Sequence, residues 1–416
     1  MTGEALEFRA GGGGALDAWA EPDLGNPWVR QHLHDFRAPA KTQRLWRTFM
    51  IIGAATLALG LFVAPGRVWA AVLLAGMYLI GLGLGGLFLV AMHYLTAAGW
   101  SVVIRRVPEA MVSLLPAGLL AVGAVLVLHP SLYEWIHAET GELIGFKGFW
   151  LSYGFLLFRA LLFAAVWLGF AAVMLGHSRL QDFDGDVDHT RRNVAVSAAF
   201  AVCFALSYWL ANVDWVMSLE PHWFSTIFGV YNFTGLFAGS LACTILVAHW
   251  LRQQPLLRAI IRDDHMHDLG KLLLGACTLW AYIWFSQYML IWYANIPEET
   301  VYYVQRQAGA WHPLFLMNPI LNWVIPFFVL LPRGCKRSGS VLTRVAFVVL
   351  VGHWLDLYLM IFPSVSPDAP SFGLWEAGIA LGAAGVIGAL ILRALGRAAL
   401  VPLKDPYLQE SLNHHQ

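Results

Sequence analysis

Residues 161–176 read LLFAAVWLGFAAVMLG, a stretch without a charged or amide side chain. A second such stretch, VAFVVLV, occupies residues 345–351. Strands of a membrane barrel alternate between apolar and polar side chains, and neither stretch does so. Because lipid offers no hydrogen bonds to the backbone, an unbroken apolar stretch satisfies its own peptide groups only as a helix. Both stretches therefore predict transmembrane α-helices.

The composition extends this conclusion to the whole chain. Of the 416 residues, 58% are hydrophobic and only 12% are charged, whereas soluble domains carry about 25% charged residues. Such a chain cannot cover its surface with polar groups, so the lipid bilayer is its first expected partner. The formal net charge is zero, and no basic field indicates nucleic acid as a partner.

The predicted fold class is an all-α integral membrane protein with about ten transmembrane helices. A span needs about 20 mainly apolar residues to cross about 30 Å of hydrocarbon. The chain offers ten such segments, at 46–64, 68–97, 109–129, 148–176, 193–213, 223–251, 270–294, 313–332, 342–362 and 372–398.

The basic residues predict the orientation of these segments. With ten passes, 22 of the 26 Lys and Arg residues fall in the two terminal regions and the loops on their side of the bilayer. Three fall on the other side, and Arg159 lies within a segment. Cytoplasmic loops collect positive charge. We therefore expect both termini in the cytoplasm, with residues 1–44 as a cytoplasmic tail that contains GGGG at 11–14.

The cysteines and histidines argue against most resident cofactors. The four cysteines form neither CxxC nor CxxCH, which argues against a covalently bound haem c, an iron–sulfur cluster or a zinc knuckle. A haem b would need paired histidines from two helices, and His93 with His249 remains an open alternative. No metal site is predicted.

Ionisable residues inside apolar segments are candidate functional residues, because a charge in a membrane helix costs several kcal/mol. In the ninth segment, His353 and Asp356 are three positions apart and so share a helix face. An imidazole beside a carboxylate is a minimal proton relay. A simple interhelical hydrogen bond is the alternative interpretation.

The seventh segment adds a polar track. His267, Asp268 and Lys271 lie at its predicted cytoplasmic mouth, and Ser286, Gln287 and Tyr288 continue toward the other side. With intervening waters such side chains can conduct protons. Polar residues that only hold helices together are the competing interpretation.

Between the fifth and sixth segments, Asp214, Glu220 and His222 lie close to the outer face. An acid and a histidine near aromatic residues suit quinol deprotonation, so the three are candidate quinone-binding residues. A loop that merely caps two helices is the alternative. The alternating aspartates at 182–188 lack the Gly and Glu of a calcium loop and are expected to form a solvated loop.

Several longer motifs resemble one family. They are GWSVVIRRVPEAM (99–111), DWVMSLEPHWFSTIFGVY (214–231), HDLGKLL (267–273), FSQYMLIWYANIPEET (285–300) and LVPLKDPYLQESL (400–412). Together they resemble the NrfD/PsrC-like membrane subunits of alternative complex III, of the ActF type. The resemblance extends from about residue 40 to the C-terminus.

The resemblance implies an architecture. The first transmembrane helix (45–67) would precede two four-helix bundles, at 68–218 and 219–363. The tenth helix and a cytoplasmic tail (364–416) would follow, so that helices 2–5 and 6–9 are flanked by helices 1 and 10.

The resemblance also implies a role in the bacterial cytoplasmic membrane, as one subunit of a quinol:electron-acceptor oxidoreductase in a respiratory or photosynthetic chain. Haem c and iron–sulfur clusters would sit on partner subunits: c-type cytochromes, an iron–sulfur protein and a second NrfD-like subunit. The chain would conduct protons along His267, Asp268, Lys271, Ser286, Gln287, Tyr288, His353 and Asp356, and menaquinol or another quinol is its candidate ligand. A stand-alone secondary transporter and a purely structural anchor are the alternatives.

Overall fold

A computed structural model describes Leu24 and residues 26–34, 36–136 and 145–415. Within these residues it is helical and contains no strand. Most of the predicted N-terminal tail, including GGGG at 11–14, lies outside the described residues. Ten helices are long and apolar enough to cross a membrane: α1 Ala40–Val63, α2 Pro65–Leu95, α3 Arg106–Leu128, α4 Tyr153–Asp184, α5 Asp188–Leu219, α6 Phe228–Leu251, α7 Asp263–Ala294, α8 Gly309–Leu330, α9 Gly339–Ser364 and α10 Leu374–Leu395.

Each predicted apolar segment corresponds to one of these helices, so the all-α multi-pass membrane fold is confirmed. Several helices extend beyond the apolar residues that reveal them. For example, α7 starts seven positions before residue 270, at two aspartates in its first turn, where acidic groups favour the helix dipole. The helix α4 continues to Asp184, and the following Gly185 caps it in the left-handed conformation at φ 75°.

The helices form two bundles with a flanking pair. The first bundle contains α2–α5 and the second contains α6–α9, with α2 packed against both α6 and α9. The helix α2 is the most buried of the ten. The helices α1 and α10 pack mainly on each other and then on α2 and α3.

Glycines allow α1 and α10 to approach closely. A Cβ built on Gly382 would lie 2.8 Å from the Cα of Gly53, and a Cβ on Gly385 would lie 2.7 Å from the backbone nitrogen of Met50. Small residues at a membrane helix interface permit this backbone contact and its van der Waals gain.

The end of the bundle at which α1 begins and α10 ends is here called the terminal end. The segment after α10 crosses this end. Asp405 binds Arg105 (2.5 Å) of the first bundle. Ser411 donates to the carbonyl of Trp100 (2.6 Å), and its own carbonyl accepts from Nε2 of His265 (3.0 Å) at the start of α7. The C-terminal segment thereby ties the two bundles together.

The other end, here called the distal end, is covered by an amphipathic helix at Pro297–Gln307. Its Tyr302 stacks on Trp223 with ring centroids 3.9 Å apart. Its Arg306 is buried, donates to the carbonyl of Leu359 (2.7 Å) and pairs with Glu220 (2.8 Å). This helix closes the distal end of the second bundle.

The expectation that residues 182–188 form one solvated loop is wrong for its first aspartate. Asp182 lies in the last turn of α4 and pairs with the buried Arg106. Arg106 also donates to Ser178 (3.1 Å) and pairs with Glu109, which is buried too. The sequence alone does not reveal this pair, because Arg106 and Asp182 lie 76 positions apart.

Candidate functional site

Asp356 lies at the centre of the second bundle and is 1% exposed. Its carboxylate accepts hydrogen bonds from the hydroxyl of Tyr231, from Nδ2 of Asn318 (2.7 Å) and from Nε1 of Trp280 (3.0 Å). These donors come from α6, α8 and α7, and Asp356 itself lies on α9. Every helix of the second bundle therefore contributes to this carboxylate site.

The local form of α8 supports the site. Pro319 interrupts the α-helical hydrogen bonds, and residues Ile320–Val324 form a π-helical turn. Such single π turns are common at functional sites. The wider turn brings Asn322 onto Asn318, to whose side-chain oxygen it donates (2.7 Å). Asn318 is thereby oriented with its amide nitrogen toward Asp356.

His353 lies one helical turn from Asp356 toward the terminal end and is buried. A Cβ on Gly81, Gly235 or Gly239 would lie 2.9–3.6 Å from its ring atoms, so glycines of α2 and α6 make room for the imidazole. Its Nδ1 atom has no hydrogen-bond partner among the described residues. A buried polar atom without a partner is unusual, so Nδ1 keeps an unused capacity for one hydrogen bond.

Asp214, one of the candidate quinone-binding residues, has a different environment. It is 0% exposed and forms a bidentate pair with Arg159 at 2.7 and 2.9 Å. Nε1 of Trp150 donates to the same carboxylate (2.9 Å). The guanidinium also lies 4.2 Å above the Trp150 ring. Asp214 is therefore a neutralised acid that links α4 to α5.

The other two candidate quinone-binding residues lie elsewhere. Glu220 is held by Arg306 and by the hydroxyl of Ser364 (3.0 Å), and His222 is exposed. The three residues predicted from one stretch of sequence therefore occupy three different environments.

The residues predicted on α7 separate into two groups. At the terminal end, Asp268 pairs with Lys271 (2.5 Å) and with His414 of the C-terminal segment (2.6 Å), and His267 is buried beside them. Trp280, which contacts Asp356, lies twelve positions further along α7, or about 18 Å. The terminal-end group therefore does not contact the carboxylate site.

The second group lies between the carboxylate site and the distal end. Gln287 is 2% exposed, and both atoms of its side-chain amide lack partners among the described residues. Tyr288 packs against Tyr303 with ring centroids 5.1 Å apart, and Ser286 is half-buried. The unpaired amide of Gln287 has the hydrogen-bonding capacity to hold a water.

Polar groups continue from Asp356 to the distal end. The pKa of Tyr303 is raised well above its usual value by burial, by Tyr302 and by the Asp356 carboxylate. The pKa of Tyr302 is also raised, chiefly by burial, with Glu220 and Asp356 contributing. Tyr302 and Tyr303 are therefore within electrostatic range of Asp356.

Sequence reasoning identified His353 and Asp356 but missed the donors to the carboxylate. Tyr231 and Trp280 lie in aromatic-rich segments, where nothing local distinguishes them. Asn318 and Asn322 gave a usable signal, because two amides four positions apart in an apolar segment share a helix face. Among the described residues, no cluster of three or more His, Cys, Asp or Glu side chains is placed to hold a metal ion.

A scan against protein-family models gives no match to this chain, and a search of curated proteins gives none.

Proposed function

We propose that this chain is the membrane subunit of a quinol-oxidising electron-transfer complex of the alternative complex III type, in which its second bundle conducts protons. The motifs described above, FSQYMLIWYANIPEET (285–300) and HDLGKLL (267–273) in particular, support the family. The proton role is carried by one observation: Asp356 is a buried carboxylate whose hydrogen-bond donors are all neutral.

The two buried acids, Asp214 and Asp356, differ in whether a cation balances their charge. An ionised carboxylate out of water costs several kcal/mol unless a cation compensates for it. Asp214 has Arg159 as its cation, so its charge is fixed. Asp356 has none among its hydrogen-bond donors, so its charge can change. The hydroxyl of Tyr231 can donate or accept and can therefore follow a change in the protonation of Asp356.

The polar groups support a proton half-path toward the distal end. It would lead from Asp356 past Tyr231 to Tyr303 of the amphipathic helix, and then to the pair formed by Arg306 of the same helix and Glu220. The terminal-end group of His267, Asp268 and Lys271 would form a separate entry, and His353 with intervening waters would connect it to Asp356.

In this proposal the terminal end faces the cytoplasm of a bacterial cell. Quinol would be oxidised at, or next to, this chain. Haem c and iron–sulfur clusters would belong to cytochrome and iron–sulfur partner subunits, with a second NrfD-like subunit beside this one. Of the three residues considered for quinone, Asp214 and Glu220 are each paired with a buried arginine, Arg159 and Arg306. The exposed His222 is therefore the most accessible candidate.

The test compares the intact complex carrying Asp356→Asn with the wild-type complex in liposomes. Quinol oxidation and proton release are measured together. We expect the ratio of protons released to quinol oxidised to fall, because the amide cannot carry the proton. Asp188→Asn is the matched control, because Asp188 is an exposed aspartate in the first turn of α5. An unchanged ratio would remove the proton role from Asp356.

One observation favours a second candidate, a stand-alone secondary transporter. The interrupted helix α8 contributes Asn318 to a buried acid, and transporters commonly bind substrate at interrupted membrane helices. Gentle purification from native membranes distinguishes the two. Co-purification with haem- and cluster-bearing subunits supports the complex, whereas a chain that purifies alone supports the transporter.

A further inference from the structure

The outward face of α7 differs from an ordinary lipid-facing surface. Of the ten membrane helices, α7 is the least apolar. Its exposed face includes Gly275, Thr278, Tyr282 and Tyr293. Gly275, Thr278 and Tyr282 are three and four positions apart, and Tyr293 follows about three turns later. All four therefore lie in one stripe along the helix, in which the exposed side chains of Phe285 and Met289 fill the interval between the two tyrosines.

Tyr282 lies at the middle of the predicted hydrocarbon layer. It is eleven positions from Lys271 and eleven from Tyr293, which places each about 16 Å away along the helix. Lys and Tyr mark the two membrane boundaries, and about 30 Å of hydrocarbon separates such boundaries. Tyrosine is expected at the boundaries rather than at this central depth.

The hydroxyl of Tyr282 is exposed without a hydrogen-bond partner among the described residues. The side chain is 66% exposed. The hydroxyl of nearby Thr278, in contrast, donates to the carbonyl of Leu274 (2.8 Å). Lipid tails accept no hydrogen bond, so an unpaired hydroxyl at mid-membrane is unfavourable.

The outward face of α4 provides an internal comparison. It is exposed to a similar extent, but its central exposed side chains include Phe158, Leu161, Leu162 and Leu168 and no hydroxyl. This is the surface expected against lipid. The polar centre of α7 is therefore specific to that helix.

The stripe also has a charge at its distal end. Glu298 is exposed just beyond α7 and forms no ion pair among the described residues. At the other end of the stripe, Lys271 is paired with Asp268. A complementary surface would therefore be basic near Glu298 and need no charge near Lys271.

We propose that the stripe Gly275–Thr278–Tyr282–Tyr293 binds a transmembrane helix of another subunit. That helix would present a hydrogen-bond acceptor to Tyr282 and a Lys or Arg near Glu298. Gly275, where a Cβ has nothing within 4 Å, lets the partner backbone approach closely. The inference rests on the proposed place of the chain in a multi-subunit complex.

The test uses a photocrosslinking amino acid at position 282 in the complete complex in native membranes. The same amino acid at Leu168 of α4 is the matched control. We expect position 282 to give one crosslinked product with a different protein chain and position 168 to give none. Crosslinks to lipid alone, or to a second copy of this chain, would overturn the proposal.

A second variant tests the hydrogen bond. Tyr282→Phe should speed the loss of the crosslinked subunit in detergent about threefold, and Phe158→Leu on the outward face of α4 should not. Equal rates of subunit loss in the two variants would show that the Tyr282 hydroxyl forms no hydrogen bond with the partner helix. The Asp356→Asn assay remains independent, because the neighbouring Trp280 faces Asp356 whereas Tyr282 faces outward, so failure of either proposal can be recognised separately.

Discussion

Nε of Arg306 donates to the main-chain oxygen of Leu359 at 2.7 Å, the carbonyl that Pro363 leaves without a helical donor. Proline has no amide hydrogen, so the oxygen four residues before it needs another partner. Arg306 provides that donor and also binds Glu220. One buried guanidinium therefore satisfies the interrupted turn of α9 and attaches the distal amphipathic helix to it.

Arg306→Gln should lower the free energy of unfolding by about 3–5 kcal/mol, the usual cost of removing one partner of a buried ion pair. Thermal unfolding in detergent, followed by circular dichroism, measures the change. Arg191→Gln removes an exposed ion pair and should have almost no effect. Similar midpoints for both variants would contradict the proposed role of Arg306.

The two buried acids should respond differently to the same substitution. Asp214→Asn leaves Arg159 buried without its counter-ion and should cost about 3–5 kcal/mol. Asp356→Asn leaves no cation unpaired and should cost about 1–2 kcal/mol. Unfolding of the two variants in one detergent compares them directly, and an equal loss of stability would refute the distinction between the sites.

The double variant Arg159→Met with Asp214→Leu provides a further check on the first bundle. Replacing a whole buried ion pair by apolar residues is often neutral or stabilising. We therefore expect it to recover most of the stability that Asp214→Asn loses. A double variant as unstable as the single one would show that the loss has another cause.

Gly53→Ala should destabilise the α1–α10 contact by about 1–3 kcal/mol, as overpacking commonly does. The added methyl would collide with the backbone of Gly382. Gly169→Ala, on the exposed face of α4 with nothing within 4 Å, should be neutral or slightly stabilising because alanine favours the helix. Unfolding midpoints distinguish the two, and a neutral Gly53→Ala would contradict the close approach.

Ser411→Ala should loosen the terminal end. The hydroxyl of Ser411 donates to the carbonyl of Trp100 and accepts from the amide of Val103 (3.2 Å). Leaving both groups unpaired should cost about 1–3 kcal/mol. Hydrogen exchange of the Val103 amide should accelerate, whereas the exposed Gln409→Ala should leave it unchanged. Unaltered exchange in both variants would show that the C-terminal segment does not hold this end.

The sequence was sufficient to predict the ten membrane helices, because length and apolarity are local properties of a segment. It was less informative at helix ends such as Asp184 and Asp263, where polar residues outside the lipid continue the helix. The burial of His353 and Asp356 was also predictable, since ionisable side chains inside a long apolar segment are rare enough to identify.

The pairing of residues across helices could not be predicted in the same way. Asp214 and Asp356 look alike in sequence, and only the packed helices show that one faces Arg159 and the other faces Asn318. The partners lie 55 and 38 positions away. Helix rotation decides which acid is neutralised, and rotation depends on the packing of all neighbouring helices.

The glycine contact between α1 and α10 has a consequence for biosynthesis. The helix α1 is only slightly buried and packs mainly on α10, which begins about 310 residues later in the chain. At about 5–20 residues per second, a ribosome needs roughly 15–60 s to reach it. During that interval the newly inserted α1 lacks its main partner. The last step of assembly is therefore the packing of α10, the last membrane helix, against α1, the first.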